Sequence, residues 1–129
     1  MSQLSIFEVL QQVANNIPGC LMTSVVDADS GMSLASVTPD DAVDAASADA
    51  FHSDLYRLVH RSMQMLDSPQ AVDGLVLVGE HAIFLSIPFP NSTYFWHMVT
   101  DLDTTVGFTQ ALMRKYSGPV MQSMSAVLV

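Results

Sequence analysis

Residues 17–37, IPGCLMTSVVDADSGMSLASV, are typical of a β-hairpin that follows a helix. Pro18-Gly19 ends the preceding element, because proline lacks the backbone N–H that a continuing helix needs. Residues 20–26 and 32–37 are rich in apolar and β-branched side chains and predict two strands. Between them lies DADSG at residues 27–31, where Asp and Ser side chains bond nearby backbone and glycine accepts a positive φ. The stretch therefore predicts two antiparallel strands joined by a tight turn.

Helices are predicted on both sides of this hairpin. Ser5 and Glu8 fit a capping box at the start of the first helix. Thr38-Pro39 is a suitable start for the second helix, because threonine caps helices and proline fits the first helical position. A single helix over residues 39–66 would be long compared with the usual mean. We therefore expect a break or a late start within residues 42–49.

Three further strands are predicted over residues 74–78, 82–88 and 93–100, each separated from the next by a short turn. None of them alternates cleanly between apolar and polar residues, so both faces of the sheet must be covered. The sequence therefore predicts an α+β fold in the order α-β-β-α-β-β-β-α. Its centre is a five-stranded antiparallel sheet with helices on both faces.

The last helix is predicted to run from about Thr104 or Thr105 to Tyr116, because Gly118-Pro119 is a strong stop signal. The residues after it, 120–129, are apolar and carry little charge. We expect one domain over residues 1–119 and a C-terminal apolar tail over residues 120–129.

The composition limits the classes of partner. The chain has 4 Lys and Arg against 13 Asp and Glu, a net charge of −9, so a nucleic-acid backbone would be repelled. Cys20 is the single cysteine, which fits a reducing compartment, and no apolar run is long enough for a membrane span. We therefore expect a cytoplasmic protein. Because 50% of residues are hydrophobic and only 13% are charged, we expect a partner to cover part of the surface.

The order of elements and the text of the hairpin resemble the Roadblock/dynein light-chain family in its prokaryotic form. The matching features are Ile17-Pro18-Gly19 after the first helix, the acidic turn ending at Gly31, and the small-residue return strand at Leu34-Ala35. The apolar meander and a final helix introduced by residues 101–107 complete the match. Thr105 stands where the family often has Asn, and threonine can also cap a helix.

The resemblance implies a non-catalytic homodimer that acts beside a small Ras-like GTPase as a scaffold, activator or localiser. It also implies that the second helices pack antiparallel and the third strands pair edge to edge. An apolar, uncharged edge strand is a pairing hazard unless it is covered, and symmetric pairing would cover it. The dimer interface is therefore expected to contain Phe51, Leu55, Val59, Leu75, Val76, Leu77 and Val78.

The second helix also carries the candidate partner-binding residues. His52 and His60 lie two turns apart, about 12 Å along the helix axis, which is too far for a pair of metal ligands. Arg57 and Arg61 lie one turn apart, and arginine is enriched at interfaces. The partner-binding surface is therefore predicted to contain His52, Tyr56, Arg57, His60 and Arg61.

Neither an enzyme nor a cofactor-binding protein is predicted, because no phosphate-binding loop, nucleophile motif or metal-ligand spacing is present. The DADSG turn resembles the start of a calcium loop but lacks the later ligands. An arginine finger at Arg57 or Arg61 is not predicted, because this helix is also the predicted dimer element. One alternative function stays open, a small-molecule sensor on a profilin- or PAS-like scaffold, with Trp96, Phe84 and Met98 around a pocket.

Overall fold

A computed structural model of the chain describes residues 4–39, 44–66 and 74–128. Within these ranges it contains helices and strands in the predicted order α-β-β-α-β-β-β-α. Their bounds are α1 Ile6–Asn15, β1 Cys20–Asp27, β2 Ser33–Val37, α2 Ala45–Met65, β3 Leu75–Val78, β4 Ile83–Pro88, β5 Tyr94–Thr100 and α3 Val106–Leu128.

The strands form one antiparallel sheet in the order β2-β1-β5-β4-β3. The predicted five-stranded antiparallel sheet is confirmed. Trp96 of β5 pairs with Val25 on one side and Ile87 on the other, so it lies in the middle of the sheet. The short strand β3 forms one edge and pairs only with β4 among the described residues.

Helices cover both faces of the sheet, as predicted. Successive residues of β5 point to opposite faces. Trp96 and Met98 pack into the main core with side chains of α1 and α3, such as Val13 and Met113. Phe95 and its neighbours face α2, whose Tyr56 packs against them. The large apolar core therefore lies between the sheet and α1 with α3, and α2 covers the other face.

The turn between β1 and β2 forms as predicted. Asp27 Oδ1 accepts from the backbone N–H of Asp29 at 3.1 Å and from the Thr93 hydroxyl at 2.7 Å. Gly31 has a φ of 75°, which favours glycine. Burial alone would raise the pKa of Asp27, but the hydrogen bonds from Thr93, Asp29 and Ser30 outweigh it and lower the pKa. The Asp27 carboxylate therefore organises the turn.

The start of α2 differs from the prediction at Thr38-Pro39. The helix begins at Ala45, with Asp44 as its N-cap, and this confirms the expected late start. Thr38 instead follows directly after β2, so it is not the helix N-cap. The predicted acidic first turn at residues 40–41 lies outside the described residues.

The predicted end of α3 at Tyr116 is wrong, because the helix continues through Gly118-Pro119 to Leu128. A proline inside a helix costs about 3 kcal/mol and an exposed glycine about 1 kcal/mol. Beyond them, Val120 and Met124 are buried in the core with α1. Full burial of two such side chains gives roughly 3–6 kcal/mol, which offsets the cost. Packing therefore overrides the local stop signal.

Two further features are the single cysteine and the apolar character of the helices. Cys20 is buried, as expected for a strand thiol, and its burial raises its pKa to about 11. Such a thiol stays protonated at neutral pH and is a poor nucleophile. Within the described residues, no helix combines the length and the apolar character that a membrane-crossing segment requires.

Candidate interaction surface on α2 and the sheet edge

An exposed apolar surface runs across α2 and β3, and we call it the α2–β3 face. On α2, Phe51 is 73% exposed and Leu58 is 59% exposed. On β3, Val76, Leu77 and Val78 are all exposed. Large apolar side chains grouped in this way are typical of a surface that another protein covers.

An apolar hollow of about 320 Å³ joins the two elements of this face. It lies between the first half of α2 and the strands β3 and β4, and its lining is almost entirely apolar: Ala48, Phe51, His52, Leu55, Leu77 and Phe84. Leu77 is the β3 residue that lines this hollow with Phe51 and Leu55, so the apolar side chains of the helix meet the strand at Leu77. Val76 and Val78 alternate with Leu77 along the strand, so they lie at the same edge but on the opposite face of the sheet.

Beneath α2 lies a buried polar network that the sequence did not predict. Ser24 Oγ donates to Ser36 Oγ at 2.7 Å, and Ser36 Oγ donates to Asp49 Oδ2 at 2.9 Å. His97 Nε2 donates to Asp49 Oδ1 at 2.8 Å, and both side chains are almost fully buried. The network links α2 to strands β2, β1 and β5, and so it fixes the helix on the sheet.

His52 lies next to this network rather than on the outer surface of α2. Its ring centroid is 4.3 Å from that of His97 and 4.9 Å from that of Phe84. The pKa of His52 is lowered to about 4, first by burial and then by the nearby His97, against the opposing effects of Asp49 and the Ala48 backbone. His52 is therefore a neutral packing residue at neutral pH. His52 is a predicted member of the partner-binding surface, but its side chain is buried.

Tyr56 and His60 follow His52 along α2 and are half-buried. The Tyr56 ring stacks on Phe95 with centroids 4.6 Å apart, and the His60 ring lies 6.3 Å beyond Tyr56. Burial raises the pKa of the Tyr56 hydroxyl. These two rings form the wall of the helix that faces the turn between β4 and β5.

The two arginines of α2 have different roles. Arg57 Nη1 donates to the carbonyl oxygens of Ala28 at 2.9 Å and Asp29 at 3.2 Å, and Nη2 pairs with Asp54. Arg57 therefore clamps the helix to the β1–β2 turn. Arg61 is exposed and makes no hydrogen bond or ion pair with any described residue.

Between this part of α2 and the β1–β2 and β4–β5 turns lies an open cleft of about 620 Å³. We call it the arginine cleft. Its α2 wall consists of Tyr56, Arg57, His60, Arg61 and Gln64, and the opposite wall contains Ala28, Asp29 and residues 88–93. Four of the five predicted partner-binding residues thus meet at one place.

Solved structures identify the architecture. Neither a protein-family profile nor a curated protein sequence matches the chain. The structure of a Roadblock/LC7 domain from Streptomyces avermitilis, however, matches 99% of this chain and 100% of that chain, with a TM-score of 0.78 and 14% identity. The chain has the Roadblock/LC7 fold. The resemblance predicted from the hairpin is confirmed.

Two further solved structures share the Roadblock/LC7 fold. Myxococcus xanthus MglB has a TM-score of 0.76 and 14% identity, over 94% of this chain and 95% of that chain. An MglB structure with a tetrameric arrangement has a TM-score of 0.81 and 13% identity, over 95% and 90% of the two chains. Both matches extend over nearly the whole chain, so they include the elements of the α2–β3 face and of the arginine cleft.

The Roadblock/LC7 fold places the predicted dimer residues on both elements of the α2–β3 face. Phe51, Val76, Leu77 and Val78 are exposed. The other predicted members are half-buried: Leu55, Val59 and Leu75.

The same fold separates the residues of the predicted sensor pocket. Trp96 and Met98 are fully buried in the core beside α1 and α3. Phe84 lies on the opposite face of the sheet, next to His52. The three side chains therefore do not surround one cavity, and that prediction is wrong. In the described part of the chain, no three His, Cys, Asp or Glu side chains converge as metal ligands do.

Asp49 and His97 are the site residues that the sequence reasoning missed. His97 stands in the apolar strand sequence YFWHMVT, and a histidine there must find a buried partner. This signal predicts a partner but not its identity. Asp49 is 48 positions away in the sequence, in a segment where we expected the helix to be irregular.

Proposed function

We propose that this protein is a non-catalytic homodimeric regulator that binds a small Ras-like GTPase. The observation that carries the proposal is the α2–β3 face, an exposed apolar surface that runs from a helix to a strand edge with which no described residue pairs. The Roadblock resemblance implies self-association through these two elements, and one structure of this fold is an MglB with a tetrameric arrangement.

Self-association has a direct physical basis in the edge strand. β3 has the sequence LVLV, and its other backbone edge pairs with no strand of the described structure. Antiparallel pairing with the β3 strand of a second copy would satisfy these backbone groups in a symmetric contact. The apolar side chains of α2 would be buried in the same contact.

Solution mass tests the dimer. Light scattering over a dilution series is expected to give a stable mass near twice 14.0 kDa. Leu77→Asp places a charge at the centre of the face and is expected to give monomers or aggregates. The matched control is Leu102→Asp, because Leu77 and Leu102 are 44% and 48% exposed and Leu102 lies outside the face. A Leu77→Asp dimer as stable as the parent dimer would contradict the edge-pairing proposal.

In this proposal the protein acts on the GTPase by binding alone, without taking part in the chemistry of hydrolysis. The dimer would bind the GTPase at the arginine cleft and adjoining surface of α2, and would prefer one nucleotide state, which shifts the population of that state. A purified Ras-like GTPase encoded in the same genome, loaded with GDP or with a non-hydrolysable GTP analogue, is titrated with the protein. We expect tighter binding in one state. Equal or undetectable binding in both states, with the dimer intact, would refute the regulatory role.

A further inference from the structure

The arginine cleft brings together basic side chains on an acidic protein. The whole chain has 4 Lys and Arg against 13 Asp and Glu. Two of these four basic residues, Arg57 and Arg61, line this cleft. Negative charge elsewhere on the surface repels anionic ligands, so an anion held here must be held by local contacts.

The two ends of the cleft differ in charge. At one end Arg57 is already bonded to Asp54 and to the carbonyl oxygens of Ala28 and Asp29. Arg61 lies one turn further along α2, about 6 Å along its axis. The exposed Asp29, the acidic residue in the lining, is therefore at the Arg57 end. At the other end, the guanidinium of Arg61 has no hydrogen-bond or ion-pair partner among the described residues.

Further polar groups line the cleft beside Arg61. His60 Nε2 lies 3.3 Å from Gln64 Nε2, within hydrogen-bond distance. Nδ1 of His60 is buried and has no hydrogen-bond partner among the described residues. The exposed Asn91, held at a φ of 58°, lines the wall opposite the helix.

The remaining wall is apolar and open. It contains the Tyr56 ring and residues 88–90, Pro-Phe-Pro. A carboxylate on a short aliphatic stem fits this combination, because the planar guanidinium of arginine binds a carboxylate through two parallel hydrogen bonds. The stem would contact the prolines and the tyrosine ring.

We propose that the Arg61 end of the arginine cleft binds an aspartate or glutamate side chain from an acidic segment of a partner protein. Only the identity of the partner, a GTPase, rests on the proposed function. Arg57 is a positioning residue in this arrangement: it holds the β1–β2 turn against α2 and so forms the cleft.

The test uses the full chain and a blocked oligoglutamate peptide as the probe. In a titration followed by ¹H–¹⁵N spectra, the signals of the Arg61 side chain and of the Gln64 and Asn91 amides are expected to shift. A blocked oligoglutamine peptide should leave them unchanged. Arg61→Gln is expected to weaken peptide binding about tenfold, the value of one charge-assisted pair. Lys115→Gln, the same charge change at an exposed position of α3, should bind as the parent chain does.

Three results would overturn this inference: no shift with oligoglutamate, equal loss of binding in both variants, or inorganic phosphate that binds as well as the peptide. The first two would show that no such site exists, and the third would show a phosphate site instead. The proposed function fails separately. If the GTPase binds Arg61→Gln as tightly as the parent chain, the regulatory function stands, but the GTPase does not supply the acidic side chain. If oligoglutamate binds but the GTPase does not, the acidic-segment site stands and the GTPase function is refuted.

Discussion

Acidification is expected to destabilise this fold through His52. The pKa of His52 in the folded chain is about 4, against an ordinary value of 6.5, because the ring is buried beside His97. Above the ordinary value the ring is neutral in the folded and unfolded chains, so it contributes nothing to the pH dependence. Below that value the unfolded chain takes up a proton that the folded chain resists. Stability therefore falls as the pH drops from the unfolded to the folded pKa.

The magnitude follows from the two pKa values. One pKa unit corresponds to about 1.4 kcal/mol, so at about pH 5 the loss of unfolding free energy from His52 is about 2 kcal/mol. Asp49 and His97 face the same ring from α2 and β5, and both residues are retained when His52 alone is replaced. A comparison of variants therefore isolates the contribution of His52.

Urea unfolding followed by circular dichroism, at about pH 8 and about pH 5, measures this contribution. His52→Phe keeps a ring beside Phe84 and removes the titrating group. Its loss of stability between the two pH values should be smaller than that of the parent chain by about 2 kcal/mol. His81→Gln, at an exposed turn, is the control and should follow the parent chain. All variants are measured at one protein concentration, because dimerisation is linked to stability. The reasoning is refuted if His52→Phe and the parent chain lose equal stability.

Two other substitutions test packing. Gly19→Ala places a methyl group against the Asp101 carboxylate and the Thr104 hydroxyl, and it should lower the unfolding free energy by about 1–3 kcal/mol, whereas Gly107→Ala, which meets no neighbour, should be neutral or stabilising. Met124→Ala should cost about 2–5 kcal/mol in chemical denaturation, because Met124 is buried, whereas the exposed Met121→Ala should cost much less. Equal small costs at both methionines would show that the residues after Pro119 form a separate tail rather than part of the domain.

The sequence predicts the features of this fold that depend on local chemistry. The DADSG turn forms because an aspartate side chain bonds nearby backbone N–H groups and Gly31 accepts a positive φ, and both properties belong to the residues themselves. Thr105 caps α3, and its hydroxyl accepts from the Phe108 N–H at 3.3 Å. The edge position of β3 agrees with the pattern that made it a candidate for pairing.

The features that the sequence did not predict depend on contacts between distant residues. The Gly118-Pro119 stop signal is real, but the burial of Val120 and Met124 against α1 outweighs it. The hydrogen bond between Asp49 and His97 joins a helix to a strand 48 positions away in the sequence. Arg57 and Arg61 are the same residue type one helical turn apart, so the sequence alone does not distinguish them. In the structure, Arg57 binds the carbonyl oxygens of the β1–β2 turn, and Arg61 has no partner among the described residues.

The two faces of α2 support the proposal that this helix packs against a second copy. Against the sheet, its buried side chains in the described structure are polar: Asp49, His52 and Ser53. Toward solvent it exposes Phe51 and Leu58, two of its largest apolar side chains. A helix is ordinarily stabilised by burial of its apolar face, whereas here the polar network fixes the position of the helix and the apolar side chains stay exposed, as the proposed dimer requires. Docking of α2 and self-association are therefore expected to stabilise each other, because the same helix takes part in both.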